Sequence, residues 1–438
     1  MIHTIQHIEN EIIDQYLYDS HPDRPWIIGF SGGKDSTLLL QLVWKALKKV
    51  DPILLTRKVY VVCNDTLVEN PRIVRFIKQT LTKIQQAALE QQLPILVQET
   101  IPKIEDSFWV RMIGLGYPAP NRFYRWCTER LKINPTTRLI TEKISESGEA
   151  IILLGTRSDE SATRANSIKK HELFGQRLRK HPLPNAYVYS PISNVTTNEL
   201  WQYLNQVPPP WGGTHKELVT LYRNANSGDC PLIIDQSTPS CGNSRFGCWV
   251  CTVVSKDKSM EGLIENGEEW MQPLSEIRNF LVESRDNPEK FREKRKRNGT
   301  ISEAHWGPYK FETRVEILKR ILKAQKQILS DEGVELITHQ EMVLIQYYWY
   351  RDSFFSTKVA DIYHSVFNEN ISMSKHQDKI DQELRLLKEA CGGEEKDMDL
   401  IQDLLALQKT KTLLLRKRGL QSDIDTRLNQ YVQEKKKS

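Results

Sequence analysis

Short, wholly apolar runs alternate along this chain with longer stretches in which apolar residues recur every three or four positions. Trp26-Ile27-Ile28-Gly29-Phe30, Lys58-Val59-Tyr60-Val61-Val62-Cys63, Leu93-Pro94-Ile95-Leu96-Val97 and Ala150-Ile151-Ile152-Leu153-Leu154-Gly155 predict four strands, and Tyr187-Val188-Tyr189-Ser190-Pro191-Ile192 a fifth. An uninterrupted apolar strand such as 150–155 is one covered on both faces. Residues 4–18 place Ile5, Ile8, Ile12 and Ile13 on one helical face. The stretch after Pro71 does the same with Ile73, Ile77, Leu81, Ile84 and Ala88, and proline suits a first helical turn. Strands alternating with helices predict an α/β fold built on a doubly wound, mostly parallel sheet, with ligands at the strand carboxyl ends. Beyond Met260 the strand signals stop, and an all-α appendage is expected. Its helices lie around Ile277, Phe280 and Leu281, from Tyr309 onward, behind a Thr338/Glu341 capping box, and over 400–415. Three segments follow: an α/β domain over 1–210, closed by Pro208-Pro209-Pro210; a cysteine segment over 211–262; and a helical region over 263–438.

The chemistry concentrates at the predicted strand ends. After the first strand comes Ser31-Gly32-Gly33-Lys34-Asp35-Ser36-Thr37, directly before a helical pattern. Strand, glycine turn and helix start aim backbone N–H groups and a positive helix end at a phosphate. The spacing is not that of a Walker A loop, which wants glycine where Ile28 stands and Ser or Thr where Asp35 stands. The octapeptide from Phe30 resembles instead the PP-loop of ATP pyrophosphatases and adenylyl-sulfate reductases, in which ATP is cut between its α and β phosphates. That resemblance implies ATP as cofactor, held by Ser31, Gly32, Gly33, Asp35, Ser36 and Thr37, with Asp65 and Thr66 contacting the adenosine. After the fourth strand, Arg157 and Arg164 are candidates to neutralise phosphate oxygens.

Between the third and fourth strands, Arg122-Phe123-Tyr124-Arg125-Trp126-Cys127-Thr128-Glu129-Arg130-Leu131-Lys132 interleaves aromatics with basic residues, a pattern suited to stacking and phosphate contact. Cys127 is a reactive thiol, a cluster ligand or a buried small residue; Arg125 and Arg130 beside it are expected to lower its pKa. RWCT followed by LK, then GTRSDESATR, then SPISNVTTNELW with a Thr196/Glu199 capping box, is similar in order to the phosphoadenylyl-sulfate reductase family.

Composition narrows the setting. The chain has 438 residues, 39% hydrophobic and 27% charged, with a net charge of +5, which is compatible with a nucleic-acid partner without requiring one. No apolar run approaches the ~18 residues of a membrane helix, and the first ten residues are unlike a signal peptide, so a cytoplasmic protein without a membrane partner is expected. Four of the seven cysteines, Cys230, Cys241, Cys248 and Cys251, form C-x10-C-x6-C-x2-C. Four thiolates at this density suit a [4Fe–4S] cluster or a structural zinc, and spacing does not choose between them.

The cysteine spacing, the run Ser244-Arg245-Phe246-Gly247-Cys248-Trp249-Val250-Cys251 and the following Asp257-Lys258-Ser259-Met260 resemble the DndC-type family of bacterial DNA phosphorothioation, over roughly residues 20 to 320. The resemblance implies an ATP-dependent sulfurtransferase-type enzyme carrying a [4Fe–4S] cluster on those four cysteines, with Mg²⁺ offsetting the triphosphate. Lys34, Asp35, Arg157 and Cys127 are its expected catalytic residues. Its implied partners are DNA, a cysteine desulfurase and further DNA phosphorothioation proteins. The alternatives are a reductase of adenylyl sulfates, a tRNA sulfurtransferase and a non-catalytic zinc-ribbon DNA-binding protein. Against the first, Cys391 is followed by Gly392-Gly393-Glu394 where the reductases carry a catalytic Cys-Gly-X-His.

Overall fold

The computed structural model describes residues 2–160, 177–225, 247–294 and 306–371, positions 255 and 353 excepted, together with scattered positions between 385 and 432. All five anticipated strands form: β1 (Trp26–Gly29), β2 (Val59–Asn64), β3 (Ile95–Thr100), β4 (Ala150–Leu153) and β6 (Ala186–Tyr189). A two-residue strand, β5 (Arg179–Lys180), adds an antiparallel edge to β6; it has no apolar run to mark it. The sheet order is β3-β2-β1-β4-β6-β5, parallel everywhere else. Register pairs Gly29 with Val62 and Ile28 with Leu153, so the carboxyl ends of β1, β2 and β4 open side by side.

Four helices cover this sheet: α1 (Ile2–Leu17), α2 (Lys34–Leu47), α3 (Pro71–Glu90) and α4 (Asn134–Ser147). On one face Ile28, Val59, Val61, Ile151 and Leu153 pack with Leu38, Leu42, Leu81 and Ile84. On the other, Ile27, Tyr60, Val62 and Ile152 pack with Leu139 and Ile140 of α4. Alternation along each strand feeds both cores, and a doubly wound sheet requires that. At the amino end of the sheet, Asp19 accepts from both Arg24 and Arg57, and Arg24 reaches Glu149 at 2.9 Å. That end is closed by ion pairs, which leaves the carboxyl end for chemistry.

Met1–Glu369 forms one compact unit, and the segment divisions at 210 and 262 fall inside it. Within it the helices Phe311–Glu332 and His339–Arg351 adjoin the segment between β3 and α4, and Gln272–Asp286 packs on Phe311–Glu332. Trp109 Nε1 donates to Leu336 O at 2.8 Å, Trp349 Nε1 to Ile113 O at 2.9 Å, and Ser107 Oγ to buried Glu341 at 2.7 Å. Both anticipated capping boxes, Thr196/Glu199 and Thr338/Glu341, are formed. The second unit is Asn370–Ser438, and the helix expected over 400–415 lies almost wholly outside the described residues.

Candidate active site

The turn after β1 is a tight cradle. Gly32 has φ +70, and a Cβ there would come within 2.5 Å of Ile77. Ser36 Oγ, one turn into α2, receives the backbone N–H of Ser31 at 3.2 Å and donates to Gly33 O at 3.1 Å. Gly155, at the end of β4, has no room for a side chain, since its Cβ would meet Asp35 O at 2.9 Å. The first turn of α2 is thus seated directly on the neighbouring strand's backbone. Thr37 is buried with its N–H on Gly33 O at 3.0 Å.

Charge is arranged around Asp35. Lys34 Nζ lies 3.0 Å from one carboxylate oxygen, and Arg157 Nε donates to the other at 2.6 Å. Burial would raise the Asp35 pKa, but Lys34 and then Arg157 outweigh it and hold the carboxyl below its usual range. Arg157 is 0% exposed, with Nη1 on Val195 O at 2.9 Å and Nη2 on Thr197 Oγ1 at 3.2 Å. Asp159 completes the network by accepting from the Thr197 N–H at 2.7 Å, at the start of α5 (Thr197–Gln206). Arg157, expected to neutralise phosphate oxygens, is here paired within the protein, as a guanidinium this deeply buried must be. Its geometry makes it the residue that orients Asp35. Ser161 to Arg164 lie outside the described residues.

One member of the cradle has no signal in the sequence. Tyr222, on α6 (Lys216–Ala225), accepts the Lys34 backbone N–H at 3.2 Å, and its ring lies 5.3 Å from Lys34 Nζ. It packs edge-on against Trp201, and its hydroxyl stands 3.2 Å from where a Cβ on Gly33 would be. A tyrosine far along the chain in an ordinary amphipathic helix carries no motif by which to find it.

The loop after β2 forms a second feature beside the cradle. Asp65 Oδ1 accepts the Leu67 N–H at 2.8 Å. Thr66 is fully buried, with its hydroxyl 3.0 Å from Glu69 and 3.4 Å from Cys248 Sγ, so in this structure it serves the cysteines. Glu69 and Cys248 form a β-bridge, Trp249 N donates to Val68 O at 3.0 Å, and Cys251 N turns back onto Cys248 O at 3.1 Å. Arg278 and Arg285 of the helix Gln272–Asp286 hold the carbonyls of Cys251 and Thr252 from the other side.

Cys127 stands at the start of the π-helical turn Thr128–Ile133, near enough to Cys248 and Cys251 that charge on Cys251 raises the Cys127 thiol and charge on Cys127 raises Cys248. Burial pushes the Cys127 thiol up and Cys251 adds to it, which reverses the expected lowering. The reason is that Arg130 is spent on Asp106 at 2.6 Å, and the cation that does act on Cys127 is Lys132. Cys248 is raised by burial and then by Glu69. Lys132 is raised, first by Cys248 and further by Glu69, whose carboxylate it meets at 3.3 Å. Cys63, inside β2, is a buried thiol pushed up to about 12, as a core cysteine should be.

Among the described residues, no group of three or more His, Cys, Asp or Glu is arranged to hold a metal ion. Cys230 and Cys241 lie outside those residues. Cys248 and Cys251 are the two of the four cysteines that the described residues include, and both thiols are half-buried.

Residues 25–254 match the family model described as the phosphoadenosine phosphosulfate reductase domain. An uncharacterized protein of Methanocaldococcus jannaschii is 26% identical over 233 residues, covering 52% of this chain and 36% of that protein. The chain therefore spans about a third of that relative's length. Phosphoadenylyl-sulfate reductase from Candida auris, solved with phosphate, aligns over 47% of this chain and 87% of its own at 14% identity and a TM-score of 0.28. FMN adenylyltransferase from Candida glabrata, solved with FAD and inorganic pyrophosphate, aligns over 54% of this chain and 70% of its own, at 15% identity and a TM-score of 0.30.

Proposed function

The chain belongs to the phosphoadenosine phosphosulfate reductase domain family, and from that premise we propose that it is an ATP-dependent sulfurtransferase-type enzyme of DNA phosphorothioation. One observation carries the reading: the glycine turn after β1 and the Cys248–Cys251 stretch, bridged to the loop after β2, lie at adjacent carboxyl ends of one parallel sheet. A nucleotide cradle by itself fits many reactions. Thiols beside it fit the transfer of sulfur to something the nucleotide has activated.

In this reading the triphosphate lies over Ser31–Thr37, with Mg²⁺ offsetting part of its charge. A non-bridging oxygen of a DNA backbone phosphate attacks the α-phosphorus of ATP. The P–O bond to pyrophosphate breaks, leaving a DNA–adenylate anhydride. Sulfur at the sulfide level then attacks the DNA phosphorus; a P–S bond forms, and AMP departs with the oxygen. A desulfurase persulfide, reduced by two electrons from a thiol donor, supplies such sulfur. Lys34 steadies charge growing on the phosphates, and Asp35, oriented by Arg157, directs Lys34 and the metal. Cys230, Cys241, Cys248 and Cys251, or Cys127 with three of these four, would hold a [4Fe–4S] cluster, which would supply thiophilic redox chemistry there.

The test is pyrophosphate release from ATP by protein purified without air, with and without DNA, alongside iron, sulfide and zinc analysis. Release that depends on DNA and falls at least about 100-fold in Ser36→Ala supports the reading. Release unchanged by that substitution overturns the cradle assignment. Thiol-dependent sulfite release from an adenylyl sulfate would make the protein a reductase.

A further inference from the structure

The segment that leads into Cys127 projects four consecutive exposed side chains, Arg122, Phe123, Tyr124 and Arg125. Phe123 is 100% exposed and Tyr124 46%. Such exposure usually accompanies a slack loop, but this tip is held. Asn121 Oδ1 accepts the backbone N–H groups of Phe123 at 2.9 Å and Tyr124 at 2.8 Å, and the Asn121 N–H closes the turn on Tyr124 O at 3.3 Å. Its base is anchored in the core. Trp126 stacks on Phe108 at 5.3 Å and 19°, and donates to Pro118 O at 3.0 Å.

The charges divide in the same way. Arg111 and Arg130, at the foot of the tip, are both spent on Asp106. Among the described residues no carboxylate pairs with Arg122 or Arg125. Arg292 from the helical region adds positive charge on the Tyr124 side. The two exposed rings are flanked in sequence by the exposed Arg122 and Arg125, and charge of one sign is a poor seat for a protein interface with its apolar centre. It is a good one for a planar base whose neighbouring phosphates need cations.

We propose that Asn121–Arg125 is a nucleic-acid tip, on which an unpaired DNA base stacks against Phe123 while the flanking phosphates meet Arg122 and Arg125. A base inside a duplex has both faces covered, so the ligand is single-stranded or locally opened DNA. The tip runs directly into Trp126 and Cys127, so a strand held there lies along the segment that carries a thiol of the site. The inference rests on the DNA reading above and names the part of the strand that the protein grips.

The experiment is fluorescence anisotropy with a labelled single-stranded oligonucleotide carrying 2-aminopurine, using full-length protein and the same sequence as duplex. Phe123→Ala should weaken single-strand binding by about 10- to 100-fold and abolish 2-aminopurine quenching, with an unchanged salt slope and unchanged thermal melting. Arg122→Gln with Arg125→Gln should leave the quenching and reduce the salt slope by about 1.4. If the wild type binds single strands and Phe123→Ala binds them equally, the tip is refuted while the DNA reading stands. If the wild type prefers duplex without quenching, the tip is again refuted. If it binds no DNA under any condition, both fall together.

Discussion

The cradle after β1 and the cysteine corner after β2 are neighbours on one sheet, yet they are built in opposite ways. The cradle is built on one continuous peptide, Ser31 to Thr37, to which Arg157 and Tyr222 are added from elsewhere, and its Asp35 is answered by Lys34 and Arg157. The corner is assembled from three stretches that meet only in the fold, 66–69, 127–132 and 248–251. Burial raises the pKa of two of its thiols, Cys127 and Cys248. Continuity makes the first arrangement prearranged and stiff, whereas the second depends on every element that packs against it.

The sharpest way to break this contrast is Asp35→Ala. It removes the cradle's central acceptor and leaves Arg157 buried without its carboxylate, so a loss of about 3–5 kcal/mol is expected in urea titration. Adding Arg157→Met should restore much of that stability and none of the nucleotide turnover. Stability restored together with turnover would mean that Asp35 is only a structural partner.

The two regions should also fail at opposite ends of the pH scale. His215 sits beneath α2 with Nε2 on Gln41 at 2.9 Å, and burial depresses it to about 4 from 6.5. A depressed base contributes stability that is full above pH 6.5 and lost as pH falls toward 4, here about 3 kcal/mol at most. His215→Gln should flatten that acid limb. Cys63, at the end of β2, is raised from 9.0 to about 12, so its contribution is full below pH 9 and lost as pH rises toward 12. Cys63→Ala should flatten the alkaline limb of the melting curve and leave the acid limb alone.

Gly155→Ala should cost roughly 1–3 kcal/mol by overpacking, because backbone and not a movable side chain lies in the way. Cys251→Ser, in contrast, should leave nucleotide binding within about twofold if the two regions bind independently. The smallest effect belongs to Tyr222→Phe. Loss of one hydroxyl on the Lys34 N–H should change ATP affinity by about 5-fold or less, read by calorimetry.

The same contrast explains what could be read from the chain beforehand. Five strands were legible because each is an apolar run between turn signals, and the capping boxes because Thr and Glu three apart have one efficient use. The cradle was legible because its donors are consecutive. The partners of Arg157 were not legible, since nothing in Gly155-Thr156-Arg157 says that its guanidinium is buried against Asp35. Cys127 was credited with arginine neighbours that the fold commits to Asp106. β5 and Tyr222 left no trace, one being two polar residues long and the other a single side chain in a helix.

The differing obstacles at the two tightly packed glycines set an order on how this chain can change. At position 155 the obstacle is main chain, which no other substitution can trim away, so descendants that keep the cradle keep glycine there. At position 33 the backbone is ordinary and the nearest obstacle is the tip of Tyr222. Alanine at 33 asks the Tyr222 hydroxyl to give by a few tenths of an ångström, and enters without that shift once residue 222 has shortened. One position is held by main chain; the other yields to a side chain on a helix far along the chain.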